Sequence, residues 1–215
     1  MGGEDTPLYL IGDFAFLIWD ERQQKLFGAR DFSGMRTLYY YNDAEHFAFC
    51  TAIKPLLQLP YIQNQLNETW LAEYLAIPEM IDTVDSSLSV IKNIKQLPPS
   101  HSITVTSDRT TVSPYSPLQL DKKIKFKKTE DYVEAFQEVY QEAVDARLRS
   151  IGPVGAQLSG GLDSGSVIGF ASRTLKKENR PLNTYSYIPG EKFEDWTPSY
   201  MLANESDYIK TPLII

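Results

Sequence analysis

The sequence predicts a chain in two parts: an α+β N-terminal part built on an antiparallel sheet, followed by the start of an α/β domain with a parallel sheet. Three observations carry this. Over the first sixty residues, aromatic and aliphatic runs alternate with short polar turns, the pattern of β-hairpins. From Tyr132 to Leu148 apolar residues recur at three- and four-residue steps, the pattern of an amphipathic helix. Beyond it a strand, a Gly-Gly turn, a helix and a second strand follow one another, with a crossover long enough only for parallel pairing.

Taken in order, Tyr9 to Trp19, Lys25 to Ala29, Thr37 to Tyr41 and Phe47 to Thr51 read as the strands of an antiparallel meander. Glu21-Arg22-Gln23-Gln24 and Asn42-Asp43-Ala44-Glu45 suit its turns, and Gly34 suits a position with positive φ. Arg30 and Asp31 read as a loop brace rather than a catalytic pair, because neither histidine nor cysteine accompanies them. Asn67 can cap a helix through Leu75 with Trp70, Leu71 and Tyr74 on one face, and Ser102 to Thr106 with Thr110 to Val112 forms a hairpin around Ser107-Asp108-Arg109. His101 reads as an exposed loop histidine with no ligand partner at metal spacing. The domain boundary is expected in a 115–128 linker, between residues 1–114 and 129–215. The stripe Tyr132, Val133, Phe136, Val139, Tyr140, Ala143, Val144 and Leu148 is expected to pack in the core, with Gly152-Pro153 ending the pattern. Strands are expected at Val154 to Leu158 and Leu182 to Ile188, with a helix over Val167 to Leu175 between them, the opening of a doubly wound α/β sheet.

Composition excludes several classes. The 215 residues are 42% apolar and 23% charged, an ordinary globular balance. No run is long enough for a membrane span and the N-terminus has no signal-peptide pattern, so a cytoplasmic location is expected. The single cysteine, Cys50, excludes an intrachain disulfide and reads as a buried structural thiol. A net charge of −7 argues against nucleic acid as a partner, and the basic cluster Lys122 to Lys128 reads as a solvated linker, since no aromatic platform accompanies it.

The chemistry concentrates in Leu158-Ser159-Gly160-Gly161-Leu162-Asp163-Ser164. Two glycines at a strand-to-helix turn let backbone approach a ligand, while the helix start presents unpaired N–H groups and a positive dipole end. Phosphate is the natural occupant. Ser159 and Ser164 offer hydroxyls, and Asp163 offers a carboxylate that suits a phosphate only with a divalent cation between them. A Mg²⁺-bound polyphosphate is the expected ligand.

The string lacks the lysine of the Walker loop and is not a dinucleotide fingerprint. It resembles the pyrophosphate-binding loop of the ATP pyrophosphatases, the group of asparagine, GMP and argininosuccinate synthetases, with Ser159, Gly160, Gly161, Asp163 and Ser164 matching the motif. A second resemblance is independent. Gly12-Asp13-Phe14-Ala15-Phe16, Trp19-Asp20, Ala29-Arg30-Asp31 with Gly34, Leu38-Tyr39-Tyr40 and Phe47-Ala48-Phe49 are similar to the late part of the glutaminase domain of class B asparagine synthetases. Leu71-Ala72-Glu73-Tyr74-Leu75 and Ile94 to His101 resemble that family's connector, with Pro99-Ser100-His101 where Pro-Gly-His is usual. The resemblance implies a partial Ntn-hydrolase glutaminase-like sheet followed by the start of an adenine nucleotide α-hydrolase-like synthetase domain. It also implies adenine contacts at Leu158 and Tyr187, and Mg²⁺ held by Asp163 as the catalytic carboxylate.

The departures bear on substrate. The family's glutaminase uses an N-terminal cysteine with arginine and Asn-Gly-Glu elements, and the chain opening Met1-Gly2-Gly3-Glu4 carries none, so it is expected not to hydrolyse glutamine. It reads as a fragment or as a member that takes its amine elsewhere, and Pro212-Leu213-Ile214-Ile215 stops before the family's synthetase domain would finish. Asp195-Trp196-Thr197-Pro198, with Asn204-Glu205, looks more like the cyclases that close the macrolactam of lasso peptides. Trp196 is either a lid or core aromatic or a substrate contact. Three functions follow: a lasso-type cyclase acting on a precursor peptide beside leader-processing partners, an asparagine synthetase amidating aspartate, or a non-catalytic nucleotide-binding module. In the first two a carboxylate, a peptide Asp/Glu side chain or aspartate, is adenylated by ATP.

Overall fold

The computed structural model describes residues 3–76, 83–116 and 123–210. The chain divides into two compact units, Met1–Lys122 and Lys123–Ile215. The readings placed on Met1-Gly2, on Lys122 and on Pro212 to Ile215 lie outside the described residues.

The first unit is a mixed α/β body with antiparallel sheets. After a 3-10 turn over Thr6–Tyr9, its strands are β1 Ala15–Asp20, β2 Lys25–Arg30, β3 Tyr39–Asn42, β4 Phe47–Cys50, β5 Ile94–Gln96, β6 His101–Val105 and β7 Thr110–Pro114. Two short helices, α1 Ile53–Leu56 and α2 Glu68–Ala76, lie between β4 and β5. The expected hairpins form: β1 pairs β2, β3 pairs β4 and β6 pairs β7. The single meander does not. The order is β1-β2-β6-β7 in one sheet and β4-β3-β5 in another. β2 takes β6 as its second neighbour and β3 takes β5, so pairing between β2 and β3 is replaced by pairing with strands roughly fifty to eighty residues on. The β1–β2 and β6–β7 hairpins thereby join into a four-stranded sheet and the β3–β4 hairpin gains a third strand, whereas isolated hairpins are marginal in water.

Three further corrections are local. The expected strand from Tyr9 begins only at Ala15, because Pro7 sits in the 3-10 turn and Gly12 takes φ +120. His101 is not an exposed loop residue. It opens β6, half-buried, with Nδ1 2.7 Å from the Pro99 carbonyl oxygen. Cys50 is partly buried rather than buried, packed against a core cluster that includes Tyr41, Leu56 and Ile94. One core cluster joins those residues to Ile62 and Ile91, and another joins Leu38, Tyr40, Leu97 and Ile103.

The second unit contains α3 Thr129–Arg147, β8 Val154–Gln157, α4 Leu162–Lys177, β9 Leu182–Tyr185 and α5 Ser206–Lys210. β8 and β9 run parallel, Val154 opposite Leu182 and Gln157 opposite Tyr185. Its core is Val144, Leu148, Phe170, Ala171 and Leu175, with Tyr140 edge-on to Phe170 at 5.0 Å. Asp145 ties the helices, accepting the Thr174 hydroxyl at 2.6 Å and the Gln141 amide at 2.8 Å. The α3 stripe is only half core. Val144 and Leu148 are buried, but Val133, Phe136 and Val139 are 50%, 65% and 67% exposed, because α4 meets only the C-terminal half of α3.

Candidate nucleotide-binding site

The site is built at the carboxyl end of β8. Leu158 donates its N–H to the Tyr185 carbonyl at 2.9 Å, prolonging the parallel ladder by one bond before the chain turns. Gly160 takes φ +77, a conformation an L side chain adopts only with strain. A Cβ there would also stand 3.0 Å from Tyr208 Cβ and 3.2 Å from Glu205 Cβ. Gly161 is the extended N-cap of α4 and supplies no side-chain cap. The first intrahelical bond runs from Gly165 N–H to the Gly161 carbonyl at 3.1 Å, so the N–H groups of Leu162, Asp163 and Ser164 precede the ladder of a 16-residue helix. Their partial positive charge and the helix dipole make this an anion-receiving end.

The two serines interlock the turn. Ser159 N–H donates to Ser164 Oγ at 3.2 Å, the two hydroxyl oxygens lie 3.0 Å apart, and Ser164 Oγ–H reaches the Gly161 carbonyl at 3.3 Å. Both hydroxyls are therefore engaged within the loop, where they fix its shape. Asp163 is exposed in the first turn of α4, which favours the helix dipole and leaves its carboxylate open to solvent. Among the described residues no group of three acidic, histidine or cysteine side chains could hold a metal by itself, so a cation at Asp163 would draw further oxygens from phosphate and water, as Mg²⁺ does.

Tyr187 does not lie in a strand: β9 ends at Tyr185, and Tyr187 follows it 91% exposed. Trp196 is 84% exposed, which removes the core-aromatic reading, and its neighbour Asp195 accepts the Thr197 N–H at 3.0 Å. Sequence reasoning missed the closeness of Glu205 and Tyr208 to Gly160. A signal for it existed in Asn204-Glu205-Ser206, where Asn204 Oδ1 accepts the Ser206 N–H at 3.0 Å at the start of α5.

Arg30 and Asp31 act as a brace, not as a pair. The guanidinium donates to the carbonyls of Arg36 at 2.6 Å, Leu97 at 2.7 Å and Gly34 at 2.5 Å. The carboxylate accepts the N–H groups of Met35 and Arg36, both at 2.9 Å. Gly34 has the expected positive φ, +69.

Residues 1–116 match the family described as glutamine amidotransferase domain, and residues 135–197 match asparagine synthase. The chain belongs to the asparagine synthetase family. Its similarity to asparagine synthetase [glutamine-hydrolyzing] 3 of Bacillus subtilis (strain 168) is 33% identity over 193 residues, 88% of this chain and 31% of that protein. The amidase chry2 of Gibberella zeae is 34% identical over 183 residues, 84% of this chain and 26% of the relative. A putative asparagine synthetase [glutamine-hydrolyzing] 2 of Methanocaldococcus jannaschii is 30% identical over 211 residues, 97% and 39%. The chain thus spans roughly a quarter to two fifths of the length of these relatives. No helix among the described residues is long and apolar enough to cross a membrane.

Proposed function

We propose that this chain carries the nucleotide-binding part of an ATP-dependent carbon–nitrogen ligase that adenylates a carboxylate and passes the acyl group to an amine. The observation that supports it most is the Ser159–Ser164 turn, with Gly160 at φ +77 before a 16-residue helix. A carboxylate alone is a poor acyl donor because oxide would have to leave. A carboxylate oxygen attacks the α-phosphorus of ATP, the bond to the β-phosphate oxygen breaks, and pyrophosphate departs. The amine nitrogen then attacks the acyl carbon, AMP leaves with the bonding pair, and the nitrogen loses a proton. In this scheme the N–H groups of Gly161 to Ser164 receive the charge that accumulates on pyrophosphate, and removing one such donor typically costs about 10²–10³-fold in rate. Leu158 and Tyr187 border the adenine. Asp163 is the carboxylate that would hold Mg²⁺, whose contribution is charge neutralisation on the leaving group.

Two substrate readings share this step. Macrolactam closure in a precursor peptide, with leader-processing partners, is favoured by the exposed Asp195-Trp196-Thr197-Pro198 element. Amidation of aspartate is equally supported, by relatives named asparagine synthetases. In either case the chain itself is proposed to consume no glutamine, because its single cysteine, Cys50, lies partly buried in β4. The single cysteine also accords with a reducing, cytoplasmic setting.

ATP–pyrophosphate exchange on the protein that carries this chain tests the reading. Asp163→Ala is expected to abolish exchange while circular dichroism stays unchanged, since the side chain is exposed. Exchange at the parent rate by the folded variant would remove Asp163 from the site. Exchange that requires L-aspartate separates the second substrate reading from the first.

A further inference from the structure

A second site lies in the first unit, far from the nucleotide loop in sequence. Tyr40 on β3 stands directly opposite Lys95 on β5. Side chains alternate along a strand, so Leu38, Tyr40 and Asn42 share one face, and Asn93, Lys95 and Leu97 share the matching one. At one end of this face Leu38, Tyr40 and Leu97 close on Ile103, with Val112 packed against them. At the other end the lining turns polar: Asn42, Asn93, Lys95 and Ser87, with Thr110 from β7, border a cleft of about 400 Å³. Asn42, Asn93 and Lys95 are exposed, so the polar end of the cleft is open to solvent.

Tyr40 gives the decisive observation. It is 7% exposed, its ring is stacked at 6.1 Å from Phe47, and no hydrogen bond among the described residues uses its hydroxyl. Every fully buried side-chain nitrogen or oxygen among those residues has a partner, so the phenol oxygen is one that reaches open space, and the cleft is the space it borders. A phenol that opens onto this cleft presents its O–H to whatever occupies it. Lys95 is in no close ion pair among the described residues. Asn42 is oriented, because its Oδ1 accepts the Thr110 hydroxyl at 3.0 Å, which leaves its amide N–H groups for another acceptor. The donors therefore outnumber their protein acceptors.

We propose that this cleft binds a small carboxylate-bearing metabolite of amino-acid size, with the carboxylate received by the Lys95 ammonium and the Tyr40 phenol. Asn42, Asn93 and Ser87 hold its remaining polar groups. A single cation with no arginine fork suits a monoanionic head better than a phosphate dianion. Asp85 adds to this. Its charge lies near enough to Tyr40 and Lys95 to be felt by both, which disfavours a dianion and favours a ligand that also carries an ammonium. The volume lies at the small end of ligand pockets.

Titration of the 215-residue chain by NMR, with L-aspartate, L-glutamate, L-asparagine and inorganic phosphate as separate probes, tests this. At least one amino acid is expected to bind saturably below about 10 mM, with shifts centred on Lys95, Asn93 and Asn42. Lys95→Met, which keeps most of an exposed stem, and Tyr40→Phe, which removes one oxygen, are each expected to weaken binding at least about tenfold, the worth of one hydrogen bond to a charged group. Asp163→Ala should bind as the parent does, which separates this site from the nucleotide loop. Saturation by phosphate in place of the amino acids, no saturable binding by any probe, or equal binding by both variants would each overturn the proposal.

Discussion

At the scale of single residues, the Arg30–Asp31 step shows what a local reading can and cannot supply. Two opposite charges before a glycine signal a braced loop, and Asp31 does accept N–H groups only four and five residues ahead. The Leu97 carbonyl taken by Arg30 lies sixty-seven residues away, and nothing in the sequence near Arg30 announces it. Arg30→Lys keeps the charge but cannot reach three carbonyls in different directions. With Arg30 4% exposed, the loss is expected to be about 2–4 kcal/mol, read as a lower urea midpoint at unchanged m. A loss under about 0.5 kcal/mol, the usual size of surface effects, would mean that the fork does not hold this loop. Gly160 is the matching case in the nucleotide turn. Gly160→Ala places a Cβ in the left-handed region, a strain of about 1–2 kcal/mol, and 3.0 Å from Tyr208. ATP–pyrophosphate exchange should fall about five- to thirtyfold, the kinetic equivalent of that strain. Gly152→Ala, where a Cβ meets only Ser150 Oγ at 4.0 Å, should leave exchange unchanged.

At the scale of elements, hairpins and helices were legible because their signals are local. The β3–β4 turn was placed on Asn42-Asp43-Ala44-Glu45, and there Asp43 Oδ1 accepts the N–H groups of Glu45 at 2.8 Å and His46 at 2.7 Å. Donation from the Tyr41 phenol, followed by the Glu45 and His46 N–H groups, holds the Asp43 carboxyl down at about 2. A carboxyl depressed on folding stabilises the folded form above its unfolded pKa of about 4, and that contribution is lost as pH falls through about 2. The hairpin amides of Glu45 and His46 should therefore lose hydrogen-exchange protection between those limits, and Asp43→Asn should flatten the profile. An unchanged profile in the variant would assign the acid response to other groups. The partners of β2 and β3 were not legible. Apolar alternation marks a strand but not its neighbour, and β5 and β6 come after two helices. The α3 stripe was over-read for the same reason: periodicity gives the apolar face of a helix, while its cover depends on where the next element lies.

At the scale of the whole chain, the two units differ in how completely they bury what they order. Among the described residues the first has two core clusters, each closed between strands or helices, and the second has one, formed by the C-terminal half of α3 with α4 and flanked by a two-stranded sheet. Hydrophobic burial scales with apolar area removed from water, at about 25 cal/mol per Å². The unit that leaves Phe136, Val139, Tyr187 and Trp196 mostly exposed forgoes more of it. Calorimetry of the 215-residue chain is therefore expected to show two transitions, the lower belonging to the unit that contains α3 and α4. Hydrogen exchange during partial melting should release the α4 amides while those of β2 and β6 stay protected. The exposed half of α3 should bind a hydrophobic dye before melting begins, and Phe136→Glu, on a side chain 65% exposed, should reduce that signal without lowering either transition. One cooperative transition with coincident exchange would show that the two units share their stability. In that case the nucleotide turn would be held by the whole chain, and Arg30→Lys in the first unit would weaken it too.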